Sequence, residues 1–474
     1  MHSQPTDGPH SIDPAAVERV RERRAELAPA LGRTWTDDQP RRFLTDLTAL
    51  GSRMAGSEGE RRAAAVVADA FERAGLAGVE TRPFEMTAWE RGDATLRVTT
   101  PDRDGTPATR EFEALALPYS PSGSVAGELV DVGYGTPAEI AERDVEGRIA
   151  VASTTTPDGG RFVHRMEKFG AAVDAGAVGF VFRNHLDGQL PPTGSLTFGE
   201  EAAAVGVGVS KETGAWLREY AAGPGESGAP ATAELSVTAT TRPSESQNVV
   251  GHAGPDTDER LLLVAHYDAH DIAEGALDNG CGIATVATAA GILTETDLPI
   301  GVDVVGVGAE EVGLLGAERL AERVDLDRVK GVINVDGAGR FRDLVALAHT
   351  SETAVAVANA VASGTDQPIA VDETPHPFSD QWPFVRRGVP ALQLHSDSGD
   401  RGRGWGHTHA DTRDKVDTRN VREHAMLVAL LVAEFAAPER EAARLERDAL
   451  VAAFREADFE AGMRAADLWP TAWP

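Results

Sequence analysis

Hydrophobic positions recur with helical spacing in two N-terminal segments, residues 13–31 and 41–75, and prolines and glycines interrupt both patterns. We expect helices there. From about Glu80 to Phe112 the pattern changes to short alternating runs such as ATLRVTT, which predict strands.

A stretch rich in glycine and proline follows, from Leu117 to about Thr241. It contains GRIAVAS, FGAAVDAGAVGFVFR and AVGVGVS, which predict strand, helix and strand within a compact, β-rich insertion.

After the polar linker RPSESQN, buried strands alternate with helix-like segments, which is typical of a parallel sheet covered by helices. The predicted strands are ERLLLVA, IGVDVVGVG, VKGVINV and GVPALQL. The fold class is therefore α/β, with a mostly parallel central sheet flanked by helices and an inserted β-rich domain. The predicted parts are N-terminal helices and the start of the α/β domain over 1–115, the insertion over 116–242, the main α/β part over 243–437 and a helical tail over 438–474.

Composition is that of a folded protein, with 42% hydrophobic and 25% charged residues. The longest apolar stretch, near Ala425 to Ala437, is shorter than the roughly 20 residues of a membrane span, so we expect no membrane association. The N-terminal sequence MHSQPTDGPHSIDP lacks the features of a secretory signal, so we expect a cytoplasmic location. Cys281 is the single cysteine, which excludes an intrachain disulfide and a thiolate metal cluster.

The net charge is -30, from 75 acidic and 45 basic residues, and it argues against a nucleic-acid partner. Lysine occurs only at Lys168, Lys211, Lys330 and Lys415. An acidic chain with so little lysine suits concentrated salt, where screening relieves self-repulsion, so we hypothesise a halophilic source.

Acidic residues and histidines follow the predicted strands of the second half. Ligands bind outside the carboxyl ends of strands in open α/β sheets, so these groups are expected to converge. They are His266 and Asp268, then Asp278 at the start of a helix, the pair Glu310 and Glu311, Asp336, and His407 in a later Gly-rich loop.

Imidazole and carboxylate ligands without thiolates suit catalytic zinc. Five ligand candidates among these seven groups are too many for one tetrahedral ion with an open position, and they fit two ions that share a carboxylate, ~3.5 to 4 Å apart. One of Glu310 and Glu311 would bind metal and the other would be a general base. Taken singly, an aspartate before a helix, such as Asp278, is more often a helix cap than a metal ligand. A pair of consecutive glutamates is most often surface charge.

Six motifs resemble those of the co-catalytic zinc aminopeptidases, a superfamily that includes glutamate carboxypeptidase II and the transferrin receptor. They are HYDAH, GALDNGCG, GAEEVGLLG, NVDGAG, FSDQWPF and GHTHADTRDKVD. The segments GRIAVAS, AAVDAGAVGFVF and AVGVGVS resemble the protease-associated domain inserted in many members. Over roughly residues 40–437 the resemblance implies a zinc-exopeptidase fold.

The resemblance also implies roles for individual residues. Asp278 would bridge two Zn²⁺ ions, Glu311 and His407 would complete one site, and His266 and Asp336 would complete the other. Glu310 would be the general base. Asp268 would orient His266 through its second ring nitrogen, and Asp411 would serve His407 similarly.

Two positions depart from the family pattern, and one further histidine competes as a ligand. Cys281 stands where a small serine is common, and we expect a buried packing thiol. Gln381 replaces a frequent histidine, which leaves the oxyanion stabiliser unassigned. His409 competes with His407 as ligand, and the HTxxDT frame favours His407.

The expected function is hydrolysis of N-terminal residues from peptides by a hydroxide between the two ions, with Glu310 as proton carrier. Three alternatives stay open: a carboxypeptidase or dipeptidase, a non-enzymatic receptor-like scaffold, and a cyclase-type acyl transferase. The first would need a basic pocket, for which Arg386, Arg387, Arg401 and Arg403 are candidates. A peptide substrate is the expected partner, and a homo-oligomer is possible.

The acidic composition predicts a requirement for salt. Molar KCl should raise the unfolding temperature of the purified protein over its value in dilute buffer, because screening weakens repulsion among the acidic groups. Thermal unfolding in a KCl series, with sucrose at equal osmolality as control, measures this. Full stability in dilute buffer with no gain from KCl would contradict the halophilic hypothesis.

Overall fold

The computed structural model describes residues 13–100, 107–223, 230–399 and 404–474. Its N-terminal part is helical. Asp13 caps the first helix by accepting from the Ala15 N–H, and Ser57 caps the fourth by accepting from the Glu60 N–H. These helices are α1 (Pro14–Glu26), α2 (Ala28–Thr36), α3 (Gln39–Thr48) and α4 (Glu58–Arg73).

The centre of the α/β domain is a row of four parallel strands, which correspond to the four buried strands predicted from the sequence. In spatial order they are β14 (Ala391–Ser396), β11 (Val329–Val335), β9 (Arg260–His266) and β10 (Gly301–Val307). Antiparallel strands flank the row: β8 (Thr232–Ala253) beside β10, and β12 (Leu344–Leu347) beside β14, followed by β13 (Ile369–Asp372). The prediction of a mostly parallel sheet flanked by helices is confirmed.

Both faces of this sheet are buried. Leu261 and Leu263 of β9 pack into one core, whereas Leu262 and Val264 between them pack into the other. Burial on both faces explains why these strands are apolar throughout rather than alternating. The first core contains α1 to α4 with α8 (Cys281–Leu293), α10 (Glu352–Thr365) and α12 (Thr418–Ala436); the second contains α9 (Leu315–Arg323) and α11 (Trp382–Val385).

One segment of the described chain, Ala276–Leu293, is long and apolar enough to cross a membrane by length and composition alone. It contains α8, and 83% of it is buried within the protein. Its apolar character is therefore accounted for by its place in the first core.

Two long strands connect the α/β domain to the insertion. β1 (Ala77–Thr100) and β8 are 24 and 22 residues long and pair antiparallel along most of their length. The short runs predicted between Glu80 and Phe112 are thus mostly one continuous strand, followed by β2 (Ala108–Phe112). Their far ends continue the sheet into the insertion, because β4 (Gly123–Asp131) pairs with β8.

The insertion extends this sheet and has one hydrophobic core of its own, and it shares a second core with the α/β part. From β4 the strand order continues through β5 (Ile149–Ser153), β6 (Gly179–Arg183), β7 (Val205–Val209) and β3 (Leu115–Ala116). Its helices are α5 (Pro137–Ala141), α6 (Arg165–Asp174) and α7 (Lys211–Ala222).

The C-terminal tail contacts both parts of the molecule. It contains α13 (Arg447–Glu456) and α14 (Glu460–Ala465), and Phe454 and Trp473 pack against Trp382 of α11. α14 lies so close to α6 that a Cβ on Gly170 would meet the Ala465 carbonyl oxygen at 1.9 Å. Only glycine permits this approach, which joins the tail to the insertion.

Lys168 is a buried lysine in the insertion, on α6. Its Nζ donates to the carbonyl oxygens of Ser153 and Thr155, both at 2.7 Å. Burial lowers the pKa of this amine to about 7. Between pH 7 and about pH 10, the ordinary lysine pKa, Lys168 is therefore more protonated in the unfolded chain than in the folded protein.

We predict that Lys168 contributes more to stability at high pH. Between pH 7 and about pH 10, the free energy of unfolding of the wild type should rise relative to that of Lys168→Met. The expected gain is up to about 1.4 kcal/mol per pH unit. Urea unfolding at constant salt measures it. The exposed Lys211, paired with Asp187 at 3.0 Å, supplies the control Lys211→Met, and equal pH slopes for the two variants would contradict the prediction.

Candidate metal centre

The predicted ligands converge at the carboxyl edge of the central sheet. His266 ends β9, Asp336 follows β11, and Asp278 lies in a tight turn before α8. The His266 Nε2 lies 3.5 Å from Asp278 Oδ1 and 3.7 Å from Asp336 Oδ1. The His407 Nε2 lies 3.3 Å from Asp278 Oδ2 and 2.9 Å from Glu311 Oε2. The structure thus brings all five together, with one oxygen of Asp278 facing each histidine.

These side chains form two groups that suit metal ions. The ligand atoms of each group lie within 4.8 Å of one another, and we name the groups the His266 position (His266, Asp278, Asp336) and the His407 position (His407, Glu311, His270).

The donor chemistry of both positions fits zinc. His266 Nε2 and Glu311 Oε1 are buried and have no hydrogen-bond partner among the described residues. Such atoms are costly unless something else binds them. Imidazoles and carboxylates without thiolates are a donor set typical of catalytic zinc. The residues present therefore fit a cation at each position.

Glu310 is buried beside this cluster but belongs to neither position. Burial raises the pKa of its carboxyl group well above the ordinary value, and the nearby charges of Asp336 and Glu311 act in the same direction. Because Glu310 and Glu311 are consecutive, their side chains leave the backbone in different directions. This suits the predicted division between a proton carrier and a ligand.

Asp268 contacts the glutamate turn as well as His266. Its carboxylate accepts the N–H groups of Glu310 and Glu311 at 3.1 and 3.2 Å. The His266 Nδ1 lies 3.2 Å from the Asp268 carbonyl oxygen and 3.5 Å from the carboxylate. The backbone carbonyl is thus the nearer partner of the imidazole, and the side chain mainly fixes the two glutamates.

Asp411 does not serve His407, contrary to the sequence-based expectation. It accepts the N–H groups of Leu277 and Asp278 at 2.6 and 3.1 Å. Burial, with the nearby Asp278 charge, raises its pKa to about 7. Asp411 therefore holds the turn that presents Asp278, because the chain folds back between positions 407 and 411.

The inserted domain supplies the partner of His407. The His407 Nδ1 lies 3.3 Å from the Thr193 carbonyl oxygen, and the Thr193 N–H donates to the His407 carbonyl at 2.8 Å. Arg91 on β1 donates to Thr193 Oγ1 at 3.2 Å and pairs with Asp271 at 2.6 Å. The insertion thus orients a ligand in the α/β domain, a role that the sequence did not reveal.

Two residues of the site were missed by sequence reasoning. His270 lies in the quoted motif HYDAH, yet it received no role; its Nε2 is 3.0 Å from Glu311 Oε2, and burial lowers its pKa. Asp380, in FSDQWPF, is buried, and neither of its carboxylate oxygens has a hydrogen-bond partner among the described residues. The signal for His270 was its spacing of four residues from His266.

The departures from the family pattern have structural explanations. Gln381 Oε1 accepts from Asn334 at 3.0 Å and its Nε2 donates to the His376 carbonyl, so its amide ties β11 to the next segment. Cys281 is buried at the start of α8, and burial raises the pKa of its thiol to about 12. His409 is exposed, with its Nδ1 3.0 Å from the Ile272 carbonyl.

The arginines proposed for a carboxylate pocket do not form one in the described structure. Arg386 and Arg387 both pair with Glu318 of α9. Arg401 and Arg403 lie outside the described residues.

Comparison with known proteins agrees with this geometry. The model of peptidase family M28 matches residues 248–432, which contain the predicted metal ligands. That stretch of the chain is similar to peptidases of family M28. The model of the PA domain matches residues 125–217, which lie within the insertion, and we call this part of the chain the PA domain.

Curated relatives are aminopeptidases. The chain is 26% identical over 297 residues to aminopeptidase YwaD of Bacillus subtilis, covering 61% of this chain. It is 28% identical over 320 residues to the probable lipoprotein aminopeptidase LpqL of Mycobacterium tuberculosis, covering 65% of this chain. In both cases the match spans 59% of the relative.

Solved structures share the fold over most of the chain. An aminopeptidase from Aneurinibacillus sp. strain AM-1 is 25% identical with a TM-score of 0.63, covering 88% of this chain and 97% of that one. A peptidase M28 precursor from Shewanella amazonensis is 21% identical with a TM-score of 0.74, covering 91% and 99%. BSAP, a zinc aminopeptidase from Bacillus subtilis, is 22% identical with a TM-score of 0.62, covering 86% and 98%.

Proposed function

We propose that this protein is an aminopeptidase that uses two zinc ions to remove N-terminal residues from peptides. The observation that carries the proposal is the position of Asp278, whose two oxygens face His266 and His407 separately. A carboxylate between two ligand groups is the arrangement of a two-metal hydrolytic site.

The ligands would be His266 and Asp336 on one side, Glu311 and His407 on the other, and Asp278 between them. When bound, the two cations supply Lewis acidity, which polarises a peptide carbonyl and makes a water more acidic. Relatives named as aminopeptidases, and a related fold in a zinc aminopeptidase, support this choice of metal and reaction.

Glu310 would carry the proton. Its carboxylate accepts a proton from the attacking water and donates it to the leaving amine. The N–H groups of Glu310 and Glu311 both donate to Asp268 and fix the turn between them, so the Glu310 backbone needs little rearrangement during the reaction. Burial of Glu310 disfavours the charged carboxylate and so strengthens it as a base toward the attacking water.

Charge at the site supports a free α-amine in the substrate rather than a free carboxylate. Asp268 and Asp380 lie buried near the ligands, and Asp380 has no hydrogen-bond partner in the described part of the chain. Nearby arginines already have partners in the protein. Arg53 donates to backbone carbonyls and Arg91 donates to Asp271. Arg340 donates to the Leu277 carbonyl and lies 3.4 Å from Asp278 Oδ1. A substrate ammonium group therefore suits this site better than a carboxylate does.

Substrate preference tests the proposal. We predict that the full chain in molar KCl hydrolyses amino-acid amides and unblocked peptides but not matched peptides with an acetylated N-terminus. A chelator should abolish the activity and two equivalents of zinc should restore it. Cleavage of N-blocked dipeptides with amides left intact would indicate a carboxypeptidase, and cyclisation of peptides with N-terminal glutamine would indicate acyl transfer.

Glu310→Gln separates proton transfer from metal binding. The variant keeps the shape of the side chain but cannot carry a proton as a carboxylate does, so kcat should fall about 10²- to 10⁴-fold with bound zinc unchanged. Steady-state kinetics and metal analysis measure the two effects. Glu311→Gln is the matched control and should lose zinc. Normal turnover in Glu310→Gln would contradict the role.

A further inference from the structure

His270 lies at the His407 position in a geometry suited to a shared cation. Its Nε2 is 3.0 Å from Glu311 Oε2, and the His407 Nε2 is 2.9 Å from the same oxygen. The two rings meet edge to face, at 88° with centroids 4.5 Å apart. Both imidazoles therefore point a nitrogen at one carboxylate. Ligand atoms on a tetrahedral zinc ion lie at a similar spacing, about 3.3 Å.

The ring nitrogens of His270 are buried and lack hydrogen-bond partners among the described residues. The side chain is only 4% exposed, so water does not replace the missing hydrogen bonds. The Nε2 has an ion-pair contact with Glu311 Oε2 at 3.0 Å. Two donor atoms that lie this close without bonding to each other are typical of ligands to the same ion. A cation would satisfy both.

The backbone around His270 is held on both sides. On the N-terminal side, the Ala269 N–H donates to the Arg53 carbonyl, and the Arg53 guanidinium donates to the Tyr267 carbonyl. On the C-terminal side, Asp271 pairs with Arg91, which also contacts Thr193 of the PA domain. The imidazole is thus presented from a fixed segment, as a metal ligand must be.

We propose that His270 is an additional protein ligand of the cation at the His407 position. This inference rests on the proposed two-metal function and adds to it. The His407 position would then have four protein donors, from His270, His407, Glu311 and Asp278. The His266 position would have three, from His266, Asp336 and Asp278.

This difference makes the two positions unequal. Four protein ligands close a tetrahedral zinc site, whereas three leave a position open, as catalytic zinc requires. The cation at the His407 position would therefore be held more tightly and exchange more slowly. The cation at the His266 position would keep the open place for a substrate oxygen or amine.

Metal titration of the full chain tests the proposal without reference to activity. Metal-free protein in molar KCl is titrated with Co²⁺, followed by calorimetry and by visible absorption. We expect two binding steps in the wild type. His270→Ala should weaken the tighter step at least tenfold and leave the weaker step unchanged, since even loss of a group supporting a ligand costs 10- to 100-fold in affinity. His407→Ala identifies the affected step.

Counting imidazoles separates a ligand from a residue that only positions Glu311. X-ray absorption of the protein with one equivalent of zinc should show two imidazoles in the wild type and one in His270→Ala. The control is His409→Ala, which should change neither readout. His409 is exposed, and its Nδ1 lies 3.0 Å from the Ile272 carbonyl oxygen. His270→Asn provides a second variant, and circular dichroism of the metal-free proteins shows which are folded.

The outcomes distinguish this proposal from the proposed function. Two binding steps with an unchanged tight step in folded His270 variants would overturn the ligand role and leave the two-metal function standing. A weakened tight step with an unchanged imidazole count would overturn it in favour of a positioning residue. A wild type that binds no pair of divalent ions would overturn both.

Discussion

The crowding of carboxylates at one buried edge of the sheet is the constraint on which the site depends. Asp278, Glu311 and Asp336 lie there with Glu310, and Asp380 is buried behind them. Two like charges 4 Å apart repel by about 4 kcal/mol at an effective dielectric constant of 20. Arg53 and Arg340 offset part of this charge. A pair of divalent cations would offset the rest, which makes metal binding part of the stability of this region as well as its chemistry.

The residues that support the candidate ligands do so mainly by hydrogen bonds to the backbone of the ligand-bearing turns. Asp268 holds the N–H groups of two consecutive glutamates, and Asp411 holds those of Leu277 and Asp278. A single carboxylate can fix a turn in this way, because its two oxygens accept from adjacent donors. The main chain thus fixes the direction of the candidate ligands, and their side chains stay available to bind a cation.

The PA domain is structurally part of the site. Through Thr193 it contacts His407 and also Arg91 of the adjoining strand β1, which pairs with Asp271, next to His270. The long pairing of β1 with β8 carries the sheet between the domains, and the C-terminal tail packs on both. Movement of the PA domain would therefore alter the surroundings of the His407 position, which gives this insertion a direct route to influence the chemistry.

Sequence patterns by themselves determined the α/β class, the four buried strands, and the histidines and carboxylates that follow them. Burial on both faces makes a strand apolar throughout, and ligand residues follow the strand ends directly, so both features can be seen in the local sequence. They did not determine which neighbour orients which ligand. Asp411 is four residues from His407 yet holds Asp278, whereas Thr193, more than two hundred residues away, contacts His407. His270 lies in the quoted motif HYDAH, but only its distance to Glu311 in the folded protein indicated a role at the site. Hydrogen bonds and ligand sets depend on distances of a few ångströms between segments remote in the chain, and only the tertiary structure decides those.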